Sequence, residues 1–575
     1  MLNKVTLVLS IFSVLLFTEL SAQNVYFTGV GRALVTNDRL TDNTVNNSPH
    51  KLKGSGGYTL FDLGINAKAT DVLRAGVILR IKNQFGGFFS DGASFEFRQL
   101  QMEGLVAKKV KYEIGDIYLK HTQYTLWNSE PIYNKYEAGV FSLRRDIVNY
   151  ENFFIGNAWR MQGVNLKTQL NFKKGIQSIG IRAYGGRTLA NNATTIPDRF
   201  FYGGRLDLTQ SKYFRIAGNV AGISDIAGTV KSAQVDYNNM VYTTDFDFTL
   251  DNNDNFKFVL GGEVGASHFE LKRAMDTAYN KFDDFFYDLG IKGTYKPWNL
   301  TLGGSYRDVG YNFNSPMAQT RRLAAPGEVI PSNFPTMNDG VTARPIGIFE
   351  TYSQEKRLYN QAISTTLMSY YVQYNMVEPY GKATPNRRGY TFMGEIETPN
   401  KVFNANIEAN FLGESVAEGD SVTFEKRKFT LIQGGFVFNL NKVLNFEKLI
   451  AINGGVRTES SKRGGTNVIN LSSSLIDAGL DVEVIKDLHL LGGVKIFNVQ
   501  GAEVQASRNQ MNQIITYSSQ QFSQAQTILA AGMRYDYGQG CYFSMHYHNV
   551  DFNDKQTNSN TYKMNQLFFV FGLKF

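Results

Sequence analysis

From residue 24 to the end of the chain, apolar and polar side chains alternate with a period of two. Over residues 73–82, Leu73, Ala75, Val77, Leu79 and Ile81 share one face, while Arg74, Gly76, Arg80 and Lys82 share the other. Val164, Leu166, Leu170 and Phe172 alternate in the same way with Asn165, Lys167, Gln169 and Asn171. Phe403, Ala405, Ile407, Ala409 and Phe411 stand against an entirely polar row of Asn404, Asn406, Glu408 and Asn410. A helix would mix the two classes on every face. The pattern predicts an all-β chain of half-buried strands. Either a large soluble sandwich or propeller with one wet face, or a membrane barrel with apolar side chains toward lipid and polar ones toward the lumen, has this alternation.

The connections predict a topology. Short polar turns fall at Thr70 and Asp71, Lys108 and Lys109, 173–175, 210–212, 251–255, Lys296 and Pro297, 399–401, 485–487 and 538–540, with a looser one at 441–447. Longer segments at 36–57, 119–158, 224–237 and 501–524 alternate with them. Outer-membrane-type barrels have short periplasmic turns and long outer loops. Counting alternating segments gives 23 candidates, the odd one being 362–373. Placing that segment in a wall would move the tight 399–401 turn to the outer side, so it is assigned to a loop. The expectation is a single antiparallel transmembrane barrel of about 22 strands (range about 20–24), both termini periplasmic, with an extracellular insertion at about 312–388.

Composition sharpens the choice. Residues 1–22 read as a secretory leader, with Lys4, an apolar run from Val5 to Phe17 and a Leu20-Ser21-Ala22 exit, leaving the barrel at 23–575. Gln23 stands where a lipoprotein would need cysteine, so no lipid anchor is expected. There are 54 Gly, 31 Tyr and 43 Phe but only 12 Pro, and the mean hydropathy is −0.26. After the leader no apolar run approaches the roughly 20 residues a spanning helix needs. A membrane protein without such runs must span as a closed barrel, because hydrocarbon cannot satisfy open strand edges. Cys541 is the single cysteine, so strand hydrogen bonds rather than disulfides must hold the fold.

At the C-terminus Leu567, Phe569, Phe571, Leu573 and Phe575 fall on one face. This segment resembles the C-terminal signal of bacterial outer-membrane barrels. The resemblance implies that the barrel assembly machinery reads Phe569, Phe571, Leu573 and Phe575, and that the chain resides in the outer membrane of a Gram-negative bacterium among lipid and lipopolysaccharide. The abundance of Phe, Tyr, Asn and Lys, with short Asn/Lys/Asp turns, resembles large porin-like outer-membrane barrels of Bacteroidota. TonB-dependent transporters are similar in strand number, yet they carry an N-terminal plug domain and an energy-coupling box, whereas alternation here begins at once with Val25, Phe27 and Val30.

Candidate chemistry lies in the lumen and the loops. Inward positions carry Arg74, Arg80, Lys82, Lys167, Arg182, Arg205, Arg215, Lys257, Lys292, Arg307, Arg457, Lys495 and Arg534. Against them stand Glu103, Asp207, Glu263, Asp288, Glu395, Glu397, Glu408 and Asp536, a mixed lumen with a basic excess in a chain of net charge +8. Excess positive charge in a narrow pore favours anions, whereas cross-strand pairing would only stiffen the wall. The proline-rich insertion carries Arg321, Arg322 and Arg344, and is expected to narrow or cap the pore or to bind lipopolysaccharide phosphates. The 119–158 loop offers Trp127, Arg144 and Arg145 as a clamp for a sugar or acidic ligand, or as girdle and loop packing. His546 and His548 share a face, but lumen lining is the simpler role, and no metal or cofactor is expected. No Gly-x-Ser-x-Gly, His-Glu-x-x-His or phosphate-binding Gly-rich loop is present, so an enzyme is not expected. The charge is spread through strands rather than gathered in one patch, and nucleic acid is not implied.

The leading expectation is a porin-like channel for small, anionic solutes. The alternative is a non-conducting barrel subunit of a secretion or assembly complex with envelope protein partners; a barrel enzyme is a remote third. Conductance separates the first two. Replacing Phe575 by Lys should slow assembly and raise periplasmic degradation, read as a fall in outer-membrane level by immunoblot; normal levels would contradict the signal.

Overall fold

In the computed structural model, hydrogen-bond register carries this alternation around a closed wall. The structure describes residues 24–320, 367, 370 and 372–575, apart from 46–47, 86–92, 130–133, 154–155, 232, 234, 252–253, 275, 419–424, 466–467, 509–513 and 557–560. The expected leader at 1–22 lies outside the described residues, as do Arg321, Arg322 and Arg344. Each wall strand pairs antiparallel with the next, beginning with Asn24–Val45 against Ser48–Thr70. The last, Tyr562–Lys574, returns to the first, with Val30 opposite Lys574 and Asp42 opposite Tyr562. The result is one closed sheet of 22 strands with even parity, which puts both termini on the side of the short turns.

Those turns sit where the polar residues mark them. Lys108, Asn299, Lys401, Asn445 and Asp487 adopt positive φ in the left-handed region, which short polar side chains and the turn backbone tolerate best. The outer surface is apolar: Phe97, Phe285, Leu302, Ile407 and Leu529 are all more than half exposed. A continuous apolar exterior on a closed sheet without edges is a bilayer-spanning surface. This is the strand-built class of the Gram-negative outer membrane, and no described helix is long and apolar enough to cross.

Three expectations are corrected. Residues 36–57 and 501–524 are not long loops, because the strands continue to Val45, from Ser48, to Arg508 and from Ile514. Above the hydrocarbon a ladder needs no apolar face, so these tall polar hairpins lose alternation while keeping their hydrogen bonds. The insertion ends two residues earlier than expected, since Arg387 and Arg388 open the strand Arg387–Glu397. Leu367, Tyr370, Val372 and Gln373, the described members of 362–373, lie outside the wall strands.

One seam positions the interior. Strands Ala93–Val106 and Val110–Leu119 pair over only six residues, from Gln101 opposite Gly115 to Val106 opposite Val110. Gly115, at φ +101, bends the second strand away, and a Cβ there would lie 2.3 Å from the Leu100 carbonyl oxygen. The Asp116 carboxylate takes over by accepting the Leu100 N–H at 2.6 Å. Four residues later the chain leaves the wall altogether.

Neighbouring residues of Phe403–Gly413 test the faces. Ile407→Lys, toward lipid, should cost about 2–4 kcal/mol near the midplane, whereas Asn406→Lys, toward the lumen, should assemble normally. Heat-modifiable gel mobility of the two variants checks this, and equal behaviour would refute the facing.

Candidate functional site

Past Leu119 the chain enters the lumen. Thr122 donates its hydroxyl to Glu263 at 2.6 Å and Tyr124 donates to Asp288 at 2.9 Å, both acceptors being on strands across the interior. Trp127–Ser129 pairs in parallel with Ala318–Thr320 of the long insertion, and the Trp159 indole N–H also bonds the Met317 carbonyl at 2.7 Å. The two outer loops therefore support each other inside the barrel.

The helix Gly139–Phe153, here α1, is the main filling element. Its apolar side chains follow helical spacing. Val140 and Phe141 pack with Leu475, Leu491, Phe497, Ile528 and Val550 of the wall, and Leu143 and Ile147 with Leu34, Leu60, Phe568 and Val570. Burial of each such side chain contributes about 1.5–3 kcal/mol. Glycines clear the space for it: a Cβ at Gly479 would lie 2.2 Å from that of Ala138, and one at Gly493 2.6 Å from the Phe141 ring. Asn134, just before α1, occupies the gap left by Gly435 and Gly455 and donates to Asp477 at 3.0 Å. Met376 and Val377, from the end of the insertion, extend the same core.

Charges fix the ends of α1. Glu151 accepts from Arg32 at 2.6 Å, from Lys82 at 2.9 Å and from the Tyr58 hydroxyl. Asp62 binds Arg80 at 2.8 Å, Arg98 at 2.9 Å and the Tyr150 hydroxyl at 2.7 Å. At the other end Glu137 meets Lys495 and Arg145, and Arg144 reaches Gln566 while its guanidinium lies 4.8 Å from the Phe568 ring centre. Arg144 and Arg145 thus hold the helix to itself and to the wall. Trp127 faces the Lys120 ammonium at 5.2 Å.

Of the inward cations, Arg80 and Lys82 belong to these anchors. Arg307 is buried on Glu378 of the insertion, Arg457 bonds Glu459 at 3.0 Å, Arg534 bonds Asp536 at 2.7 Å, and Arg74 lies 3.8 Å from Glu103. His546 and His548 face inward with rings 5.9 Å apart, beneath Phe141 and beside Phe568. Lys257 and Lys292 lie outside the cavity group, whereas four of the others, Lys167, Arg182, Arg205 and Arg215, converge.

They line a cavity of about 690 Å³ with Lys109, Lys111, Lys120, His121, Thr122, Asp207 and Asp245. Register explains the convergence: Lys111 lies directly opposite Lys167, Lys167 opposite Arg182, and Arg182 opposite Arg205. Four cations on four adjacent strands form one row across the inner wall. Lys167 bonds Glu113 at 2.9 Å, Lys111 bonds Glu103 at 2.7 Å and Arg205 bonds Asp245 at 2.8 Å. Arg215 is held by Asp207. Arg182 forms no ion pair or hydrogen bond with a described residue. Lys109 lies in a periplasmic turn, whereas Lys120, His121 and Thr122 form the roof where the chain crosses inward, so the cavity reaches from the periplasmic turns up to that roof. Burial, reinforced by the charges of Arg182 and Arg205, pushes the His121 imidazole down to about 3 and keeps it neutral.

Reading faces singly from the sequence named Lys167, Arg182, Arg205 and Arg215 but neither Lys111 nor the row, which needs register. It missed α1 too, although Val140, Leu143 and Ile147 at i, i+3 and i+7 carried a helical signal.

Glu151 makes the docking of α1 testable. Burial opposes its ionisation, but the charges of Lys82 and Arg32 outweigh it and hold the carboxyl below the ordinary range. A depressed carboxyl contributes stability that is complete above its unfolded value and is lost as pH falls through the lower folded one. Docking should therefore hold at neutral pH and loosen only below the ordinary carboxylate range. Glu151→Ala should remove about 3–5 kcal/mol from docking, seen as lost hydrogen-exchange protection over 139–153 with the wall strands still protected.

No protein-family model matches this chain, and no curated protein matches it. Among solved structures it is similar to a BenF-like porin from Pseudomonas fluorescens Pf-5, at 8% identity and TM-score 0.35, covering 96% of this chain and 99% of that one. It is likewise similar to OpdO of Pseudomonas aeruginosa, at 8% identity and TM-score 0.35 with 95% and 97% covered, and to the usher PapC translocation pore, at 8% and 0.32 with 95% and 98% covered. Likeness at this level distinguishes neither a solute nor a partner.

Proposed function

We propose that this protein is a narrow-bore, porin-like channel of the outer membrane, closed down by its own loops and passing small anionic solutes along its basic sector. The observation that carries the reading is the roofed cavity with its cross-strand row of cations, beside a lumen into which α1 packs. A wall of this size would enclose an aqueous lumen of porin width or more, and α1 with the described ends of the insertion narrows it. Fixed positive charge along a constricted path favours anions over cations.

The rival reading is a non-conducting barrel subunit of an envelope complex. The apolar packing of α1 against the wall favours it, because a helix docked through a hydrophobic core need never leave.

Planar-bilayer recording separates the two. The intact protein should give small, anion-selective steps, and replacing 139–153 by a Gly/Ser linker should raise conductance several-fold. The wall should remain folded by heat-modifiable mobility. A folded linker variant that carries no current would sink the channel reading.

A further inference from the structure

The row of cations has a cost that the wall alone does not recover. Like charges directly opposite one another on neighbouring strands are destabilising, and here the opposition is repeated three times in succession. Carboxylates relieve it at the two ends. Glu113 and Glu103 serve Lys111 and Lys167, and Asp245 serves Arg205. At the centre, Arg182 is partly buried, stands between Lys167 and Arg205, and has no counter-charge within bonding reach among the described residues.

We propose that this centre is a binding site for the oxyanion group of a small organic anion, a phosphate or a carboxylate, entering from the periplasmic side. Arg182 is its principal ligand, with Lys167 and Arg205 flanking and Thr122 and His121 closing the roof. A guanidinium presents parallel N–H donors that match the two oxygens of a carboxylate or phosphate. The cavity, at about 690 Å³, exceeds what a bare oxyanion needs and falls in the range of sites that enclose a small organic molecule. The neutral His121 ring adds polar capacity without adding to the positive crowding. Because the roof is formed by the segment that leads into Trp127–Ser129 and α1, the site is complete only while the loops are docked. An anion bound there stabilises the docked state by mass action.

The proposal rests on the channel reading for the route by which an anion arrives, but its test does not use current. Full-length protein in detergent is titrated calorimetrically with inorganic phosphate and, separately, with succinate, at ionic strength fixed by chloride so that screening is constant. Saturable binding of either probe is expected, and which one binds identifies the group. Arg182→Gln should weaken it by roughly tenfold or more, and Arg182→Lys should fall between, since it keeps the charge and loses the paired donors. Arg187→Gln, at the outer end of the same strand and paired with Asp198, should bind as the wild type does. Heat-modifiable mobility confirms that each variant is folded. Failure of both probes to bind saturably, or unaltered binding by folded Arg182→Gln, would overturn the site. Saturable binding in a barrel that carries no current would overturn the channel reading and leave the site standing.

Discussion

A sheet of 22 strands that closes on itself leaves no unpaired edge toward lipid, but it encloses more space than one layer of inward side chains can fill. Everything else in the interior follows from that surplus volume. Two outer loops turn inward, brace each other through Trp127–Ser129 and Ala318–Thr320, and bring an amphipathic helix against the wall. The wall adapts in return. Glycines at 479 and 493 make room, and inward rows beneath the helix become apolar, as at Phe568 and Val570.

Charge is divided between two tasks. Where the loops dock, carboxylates and cations meet in buried clusters around Glu151, Asp62 and Glu137. Such clusters define one seating for a helix, because removing a single partner leaves the rest uncompensated. In the sector that the loops roof, cations outnumber carboxylates among the described residues, and Arg182 has no ion pair with any of them.

Much of the wall could be read from residues alone. Alternation and turn chemistry locate the short turns, and parity excludes 362–373 from the wall. What failed had a physical cause each time. The tall hairpins at Val45 and Ser48 and at Arg508 and Ile514 stand above the apolar band, where polar residues keep a ladder without alternating. The helix 139–153 hid among loop residues because its partners come from strands hundreds of positions away, such as Phe497 and Val550. Inward rows of the last strand are apolar for the same reason, so Phe568 and Val570 blurred the contrast on which face assignment depends. The cation row required register, which no single strand contains.

The placement of α1 couples two events that are distant in the chain. Leu143 and Ile147 pack at once on the first, second and last strands, and Gln566 of the last strand joins Arg144 of the helix to Asp38 of the first at 2.7 Å. The helix thus lies across the junction where the barrel closes. The part of its seat that takes Leu143 and Ile147 does not exist until the C-terminal strand has met the N-terminal one, so the helix can dock in full only on a closed barrel. Once seated, the helix straps that junction, and the wall cannot unzip there without first releasing it. Closure of the circumference and seating of the contents are thereby coupled, each holding the other in place.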